Sequence, residues 1–445
     1  MAPGINAILK RTGEVTPFDP EKIRVAIYKA TAAVGDHDGE LATQVTERVV
    51  EALGAAYSGA SSVSVEDIQD LVERELIASG AADVAKAYIV YRHERAQLRL
   101  SRRSVARQNI PYKAMWQALD WAVDHGCHTV RALNQTIREG RLPDLIDAAD
   151  TRYEDGIEQA ARAILERRDE LRFIIVAGPS SSGKTTTTHK IAAHLEAEGI
   201  SVVPMPMDNY FFDLELHPGD EFGDRDFETP EALDLALINQ HLAALDRGET
   251  IDMPIYDFKT GRRQAEPVRF EVPPGSLILL DTLHGLYDGL TASVPDEHKF
   301  RLYIETLSQL KDPNGRYVRW TDIRMLRRMV RDSLFRAFKP EGTILHWHYV
   351  RRGELKHIIP HQATADFHVN GSLAYELPFL KLHLFHHLEA FLRKWHGDDK
   401  RLDGFMRAQR VHFLLSAIED VEDDSAVPAS SLLREFIGGG SYDIH

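Results

Sequence analysis

A single cysteine, Cys127, is all that 445 residues contain. One thiol excludes an internal disulfide and a zinc site built from several cysteines, and it points to a reducing compartment. No run of about 18 apolar residues occurs, so no transmembrane helix and no membrane partner is expected. The opening residues MAPGINAILKRTGEV lack the apolar stretch of a secretory signal. Positive charge is in deficit: 53 Lys and Arg stand against 68 Asp and Glu, a net of −15. That acidity argues against a nucleic-acid coat or a membrane-surface protein. These absences leave a soluble cytoplasmic enzyme or regulator. The rest is ordinary for folded proteins, with 43% hydrophobic and 27% charged residues. The length accommodates roughly two to four domains.

What is present falls into parts. Asp19-Pro20-Glu21-Lys22 reads as a helix start, with Asp at the N-cap and Pro in the first helical position. Further helices are expected near residues 65–76 and 83–99, before a basic stretch suited to a linker. Residues 111–170 are helical in pattern, and Trp116, Leu119, Trp121 and Ala122 form an apolar stripe expected to pack. From Arg172 the pattern changes. FIIVAG, GISVVPM, SLILLD and KFRLYIE read as buried parallel strands separated by helical stretches. Such alternation predicts an α/β domain, a doubly wound parallel sheet. The boundaries expected are 1–100, 101–170 for a helical linker region, 171–380 for the α/β domain, and 381–445 for a C-terminal helical extension.

The strongest signal is Gly178-Pro179-Ser180-Ser181-Ser182-Gly183-Lys184-Thr185, which fits G-x-x-x-x-G-K-[ST] between a strand and a helix. Glycines let the backbone curl so that several N–H groups face one phosphate, and the helix N-terminus adds its positive end. Gly178, Ser180, Ser181, Ser182, Gly183, Lys184, Thr185 and Thr186 are therefore the expected nucleotide contacts. Lys184 reaches the β- and γ-phosphates, and Thr185 offers a hydroxyl to Mg2+. Leu277-Ile278-Leu279-Leu280-Asp281 resembles a Walker B strand, whose acid completes the metal site. Asp208, in Met207-Asp208-Asn209-Tyr210, follows the next strand. There a carboxylate lies near the γ-phosphate and can accept a proton from an attacking hydroxyl.

The stretches GPSSSGKTT, MDNYF, EFGDRDFETPEALD, PIYDFKTGRR, RMLRRMVRD and VRRGE occur in this order. Together they resemble the uridine kinase and phosphoribulokinase family of P-loop kinases, in its bacterial uridine kinase-like branch. The resemblance implies ATP-dependent, Mg2+-assisted phosphorylation of a primary hydroxyl on a small molecule, with Asp208 as the general base. It implies Tyr256 and Phe258 in the acceptor pocket and Glu228 on ribose hydroxyls. Animal-type uridine kinases carry a histidine after the YDF motif; here Gly261 stands in that position, so another sugar, a sugar phosphate or a polyol is an alternative acceptor. The Walker B acid is Asp281 where such kinases commonly have Glu.

Arg316 to Lys356 carries eleven basic and four acidic residues. Arg324, Arg327, Arg328 and Arg331 recur at helical spacing, and the reading is a lid that neutralises the phosphoryl group in transit. Arg331 and Arg336 match the family's lid arginines best. Near the N-terminus, ILKRTG with Phe18 and Glu21-Lys22-Ile23, and VAKAYIVYR further on, resemble the ATP-cone, a small regulatory nucleotide-binding domain. That implies ATP or dATP as an effector, Lys10, Arg11 and Lys22 as phosphate contacts, and a change in homo-oligomeric state. A nucleotide-sensing regulator that works through partner binding is the alternative from another class.

Overall fold

Short strands and amphipathic helices build the structure, a computed structural model that describes residues 7–9, 15–34, 36, 39–56, 63–89, 111–217, 228–257, 260–396 and 401–442. Lys10, Arg11 and Phe258 lie outside them. In the unit Met1–Gln108, β1 (Ala7–Leu9) pairs antiparallel with β2 (Val15–Pro17) and parallel with β3 (Val63–Ser64). Around them are α1 (Pro20–Ala33), α2 (Glu40–Ala56), α3 (Val65–Ala78) and α4, over 82–89. Ile27, Val45, Val49, Leu53, Val63 and Leu76 bury together as its core. The Asp19 carboxylate accepts the Glu21 amide at 3.1 Å, with Pro20 opening α1. Lys22 extends into solvent, 3.9 Å from Asp19.

The unit Asn109–His445 begins with α5 (Tyr112–Asp124), α6 (Val130–Arg138) and α7 (Leu142–Glu166). A five-stranded parallel sheet follows, composed of β4 (Phe173–Ala177), β5 (Val202–Pro206), β10 (Leu277–Asp281), β11 (Lys299–Glu305) and β12 (Phe367–Asn370). Its spatial order is β12-β11-β4-β10-β5. The four strands expected from the apolar runs are β4, β5, β10 and β11. The fifth, β12, is too short and polar to stand out. Two small antiparallel pairs were also not legible: β6 (Ile251–Met253) with β9 (Val268–Phe270), and β7 (Tyr256–Asp257) with β8 (Arg262–Arg263).

The two-residue period of the strands sets the layers. Ile174 and Val176 of β4 face one core with Leu279 and Ile304; Phe173 and Ile175 face the other with Ile278 and Leu280. On the second face lies α9 (Leu235–Asp246). The first is shared by α5–α7, α8 (Lys184–Ala197), α10 (Trp320–Phe335), α11 (Pro340–Gly353), α12 (Glu376–Lys394), α13 (Leu402–Ser416) and α14 (Arg434–Ile437). The helical stretches on either side of the sheet region thus build the same core as the sheet. Trp116 departs from its expected packing role and is 67% exposed. Helix α5 buries Ala118 and Ala122, which places Trp116 on the opposite side. Among the described residues no helix is long and apolar enough to cross a membrane.

Candidate active site

Strand β4 runs into the loop Gly178–Thr185, and α8 leaves it. At residue 178 a Cβ would stand 2.4 Å from the Ile304 carbonyl oxygen, so only glycine fits. Gly183 holds φ +98°, and Ser181 is left-handed at +58° without being glycine. Strain of that kind collects at ligand sites. The hydroxyls of Ser181 and Ser182 are buried and make no hydrogen bond among the described residues. They are donors next to a helix N-terminus, which suits an anion. Lys184 Nζ donates to the Pro179 carbonyl at 3.4 Å, and the Thr185 hydroxyl donates to Asp281 Oδ2 at 3.2 Å. Burial pushes the Asp281 carboxyl up to about 6; Glu435 and Asp208 add to this and Lys184 opposes it. The Thr185 hydroxyl and the Asp281 carboxylate form an oxygen-donor pair that fits Mg2+.

Asp208 sits in the turn Met207–Tyr210, immediately after β5. As a residue it is exposed. The protein crowded around it still raises its pKa, against the charges of Lys184 and Arg336. The turn is braced by a residue that sequence reading quoted within a motif but gave no role. Arg263 donates to the carbonyls of Tyr210 and Phe211, each at 2.8 Å, and pairs with Asp234 at 3.1 Å. Asn209 accepts the Tyr256 amide at 3.1 Å. Tyr256 thereby lies beside the Asp208 turn, buried, with its ring 5.7 Å from that of Phe211. Glu228 pairs with Arg328 at 3.1 Å, and the same guanidinium nitrogen donates to Ser180 Oγ at 3.1 Å. The acid expected on a ribose is therefore linked to the phosphate loop through Arg328.

The arginine helix α10 corrects the expectation of a shared lid face. Arg324 and Arg327 are 1% and 0% exposed. Arg324 pairs with Glu354 and Glu305 and donates to the Ser180 carbonyl at 3.0 Å. Arg327 pairs with Glu376 at 2.6 Å and donates to the Gly371 carbonyl at 2.7 Å. Both brace the phosphate loop from inside the protein, because carboxylates distant in sequence meet them there. Arg331 pairs with Asp332 at 2.7 Å, and Arg336 lies 3.9 Å from the same carboxylate.

Glu354→Gln leaves a buried guanidinium short of one partner, and breaking such a pair typically destabilises by about 3–5 kcal/mol. Glu305 remains on Arg324, so the lower end is expected in urea unfolding at neutral pH. Burial would raise the Glu354 carboxyl, but Arg324 and Arg351 outweigh it and hold it below its ordinary value. Its contribution is complete above the unfolded-state pKa and is lost as pH falls through the depressed folded value. The difference between the two proteins should shrink at acid pH.

His284, three residues past Asp281, was missed in the sequence, where only its place behind the Walker B acid marked it. It is 3% exposed, lies by the Glu228 backbone, and its ring meets His357 edge-on at 6.0 Å. Burial, with His357 and Lys184 adding, pushes it down to about 3. It is a neutral imidazole with one donor and one acceptor.

Two family profiles match separate stretches of the chain. The profile described as the ATP cone domain matches residues 6–97, and that of the phosphoribulokinase / uridine kinase family matches 173–373. A uridine kinase of Deinococcus deserti is 33% identical over 196 residues, 44% of this chain and 85% of that protein. A uridine kinase of Halobacterium salinarum is 32% identical over 169 residues, 38% of this chain and 66% of that protein.

Proposed function

The chain belongs to the phosphoribulokinase / uridine kinase family and is a phosphotransferase with a hydroxyl acceptor, and on that premise we propose that it moves the γ-phosphoryl group of ATP to a nucleoside such as uridine or cytidine. The observation that carries the transfer chemistry is the meeting of Lys184, Asp281 and Asp208 at the carboxyl ends of three adjacent strands, β4, β10 and β5, and the nucleoside acceptor is supported by the similarity to uridine kinases. The phosphates of ATP lie along the amides and hydroxyls of residues 178–186. Thr185 and Asp281 would hold Mg2+, which would supply neutralisation of the phosphate charge.

Asp208 orients the acceptor hydroxyl and takes its proton as the oxygen attacks the γ-phosphorus in line. A new O–P bond forms, the bond to the β-phosphate oxygen breaks, and ADP leaves. Lys184 faces the spreading charge, with Arg331 and Arg336 adding to it from the end of α10. Tyr256 and Phe258 offer aromatic faces to the base, and Glu228 accepts from ribose hydroxyls. The N-terminal unit takes ATP or dATP as an effector, with Lys10, Arg11 and Lys22 on its phosphates and a change of homo-oligomeric state as the output.

The test is ADP release with MgATP, with and without dATP, against uridine, cytidine, other nucleosides, pentoses, sugar phosphates and polyols. Turnover on uridine or cytidine, altered by dATP, is expected. Turnover only on another acceptor retires the nucleoside, and silence across the panel favours a nucleotide-sensing regulator.

A further inference from the structure

A cavity of about 270 Å3 opens beside the N-terminus of α8. Its walls include Thr186, Phe335, Arg434, Glu435, Gly439 and Tyr442. The last four belong to a C-terminal segment outside residues 173–373, which carry the family match.

Position gives the cavity its meaning. Lys184 and Thr185 serve the far end of a phosphate chain. The Thr186 amide comes next along the helix, so a nucleotide whose terminal phosphates sat at Lys184 and Thr185 would pass Thr186 toward its nucleoside. That residue is also a wall of the cavity. The lining suits a flat ring. The Tyr442 ring stacks on His189 at 5.4 Å, and Phe335 lies against Gly438, where a Cβ would be 3.1 Å from its ring. Gly438 and Gly439 have φ of +84° and +72°, so the wall depends on glycine backbone. Arg434 fixes that backbone by donating to the carbonyls of Val427 at 2.6 Å, Asp424 at 2.8 Å and Gly438 at 3.1 Å.

Glu435 supplies an independent observation. Only 6% exposed, its Oε2 accepts the Thr186 amide at 3.0 Å and the Thr186 hydroxyl at 2.8 Å. A carboxylate there occupies donors at a helix N-terminus that a phosphate would use. The two anions cannot share them.

We propose that residues 429–442 form the nucleoside wall of the donor site. Phe335 and Tyr442 hold the base of the nucleotide. Glu435 yields the Thr186 amide and hydroxyl to the α-phosphate and turns to accept from the ribose hydroxyls. The inference rests on residues 178–186 being the donor phosphate site.

Calorimetry on the full chain, with MgATP and with inorganic tripolyphosphate as separate probes, tests it. Phe335→Ala and Tyr442→Ala are each expected to weaken MgATP about tenfold or more, the loss of one stacked base face, and to leave tripolyphosphate unchanged. Glu435→Gln is expected to tighten tripolyphosphate more than MgATP, because it removes the competing charge from Thr186 and weakens the ribose contact. Thermal melts identify any variant that fails to fold, and the two ring variants report independently. Equal weakening of both probes, or of neither, in the folded ring variants overturns the proposal. If Lys184→Ala binds both probes as tightly as the parent chain, the donor reading itself fails, which is a distinct result.

Discussion

Asp208→Asn is expected to lower kcat by roughly a hundred- to ten-thousand-fold, the usual contribution of a positioned general base, while the affinity for MgATP stays close to the parent value. The substitution keeps shape and removes the proton acceptor. Fold damage is a poor alternative explanation, because Arg263 and Asn209 hold the turn through other groups. The pH profile separates a base from a positioning residue. Asp208 acts unprotonated, so activity rises with pH through its pKa. Crowding of the cleft has raised that pKa, which places the rising limb above the range of an ordinary carboxylate. In the Asn variant that limb should vanish from the residual rate. Near-parental turnover would remove Asp208 as the base.

Lys184→Met is expected to reduce kcat/KM by about a hundred- to a thousand-fold, the scale of removing one preorganised charge from a transition state. Methionine keeps the length and the apolar stem, so the loss reports the ammonium group. A second consequence follows from the same charge. Lys184 opposes the upward shifts of both Asp208 and Asp281. Without it both carboxyls rise further, and the acid limb of the residual activity moves to higher pH. An unchanged profile with unchanged kcat/KM would place Lys184 outside the site.

The elements whose placement depends on local spacing were legible in the chain. The loop 178–185, the acid closing SLILLD and the turn after GISVVPM each carry their signal within a few residues. The apolar runs likewise marked four of the five strands. What escaped depends on partners far away in sequence. Arg324 and Arg327 look like members of a charged face, and nothing near them announces Glu354 or Glu376. A repeating pattern gives the angle of a side chain around its helix but not whether the facing surface is water or a buried carboxylate. Trp116 shows the same limit on the apolar side. Glu435 belongs to no motif, and only the folded C-terminal segment brings it to Thr186. Arg263 was hidden differently: it lies in a quoted motif, but its work is on the backbone of another turn.

Transfer of label from γ-phosphate-labelled ATP to uridine, with the products separated and counted, tests the central claim most directly. The account predicts labelled uridine monophosphate that requires uridine and Mg2+ and that Asp208→Asn abolishes. Label released only as inorganic phosphate, at a rate indifferent to every hydroxyl acceptor and to Asp208→Asn, would contradict it.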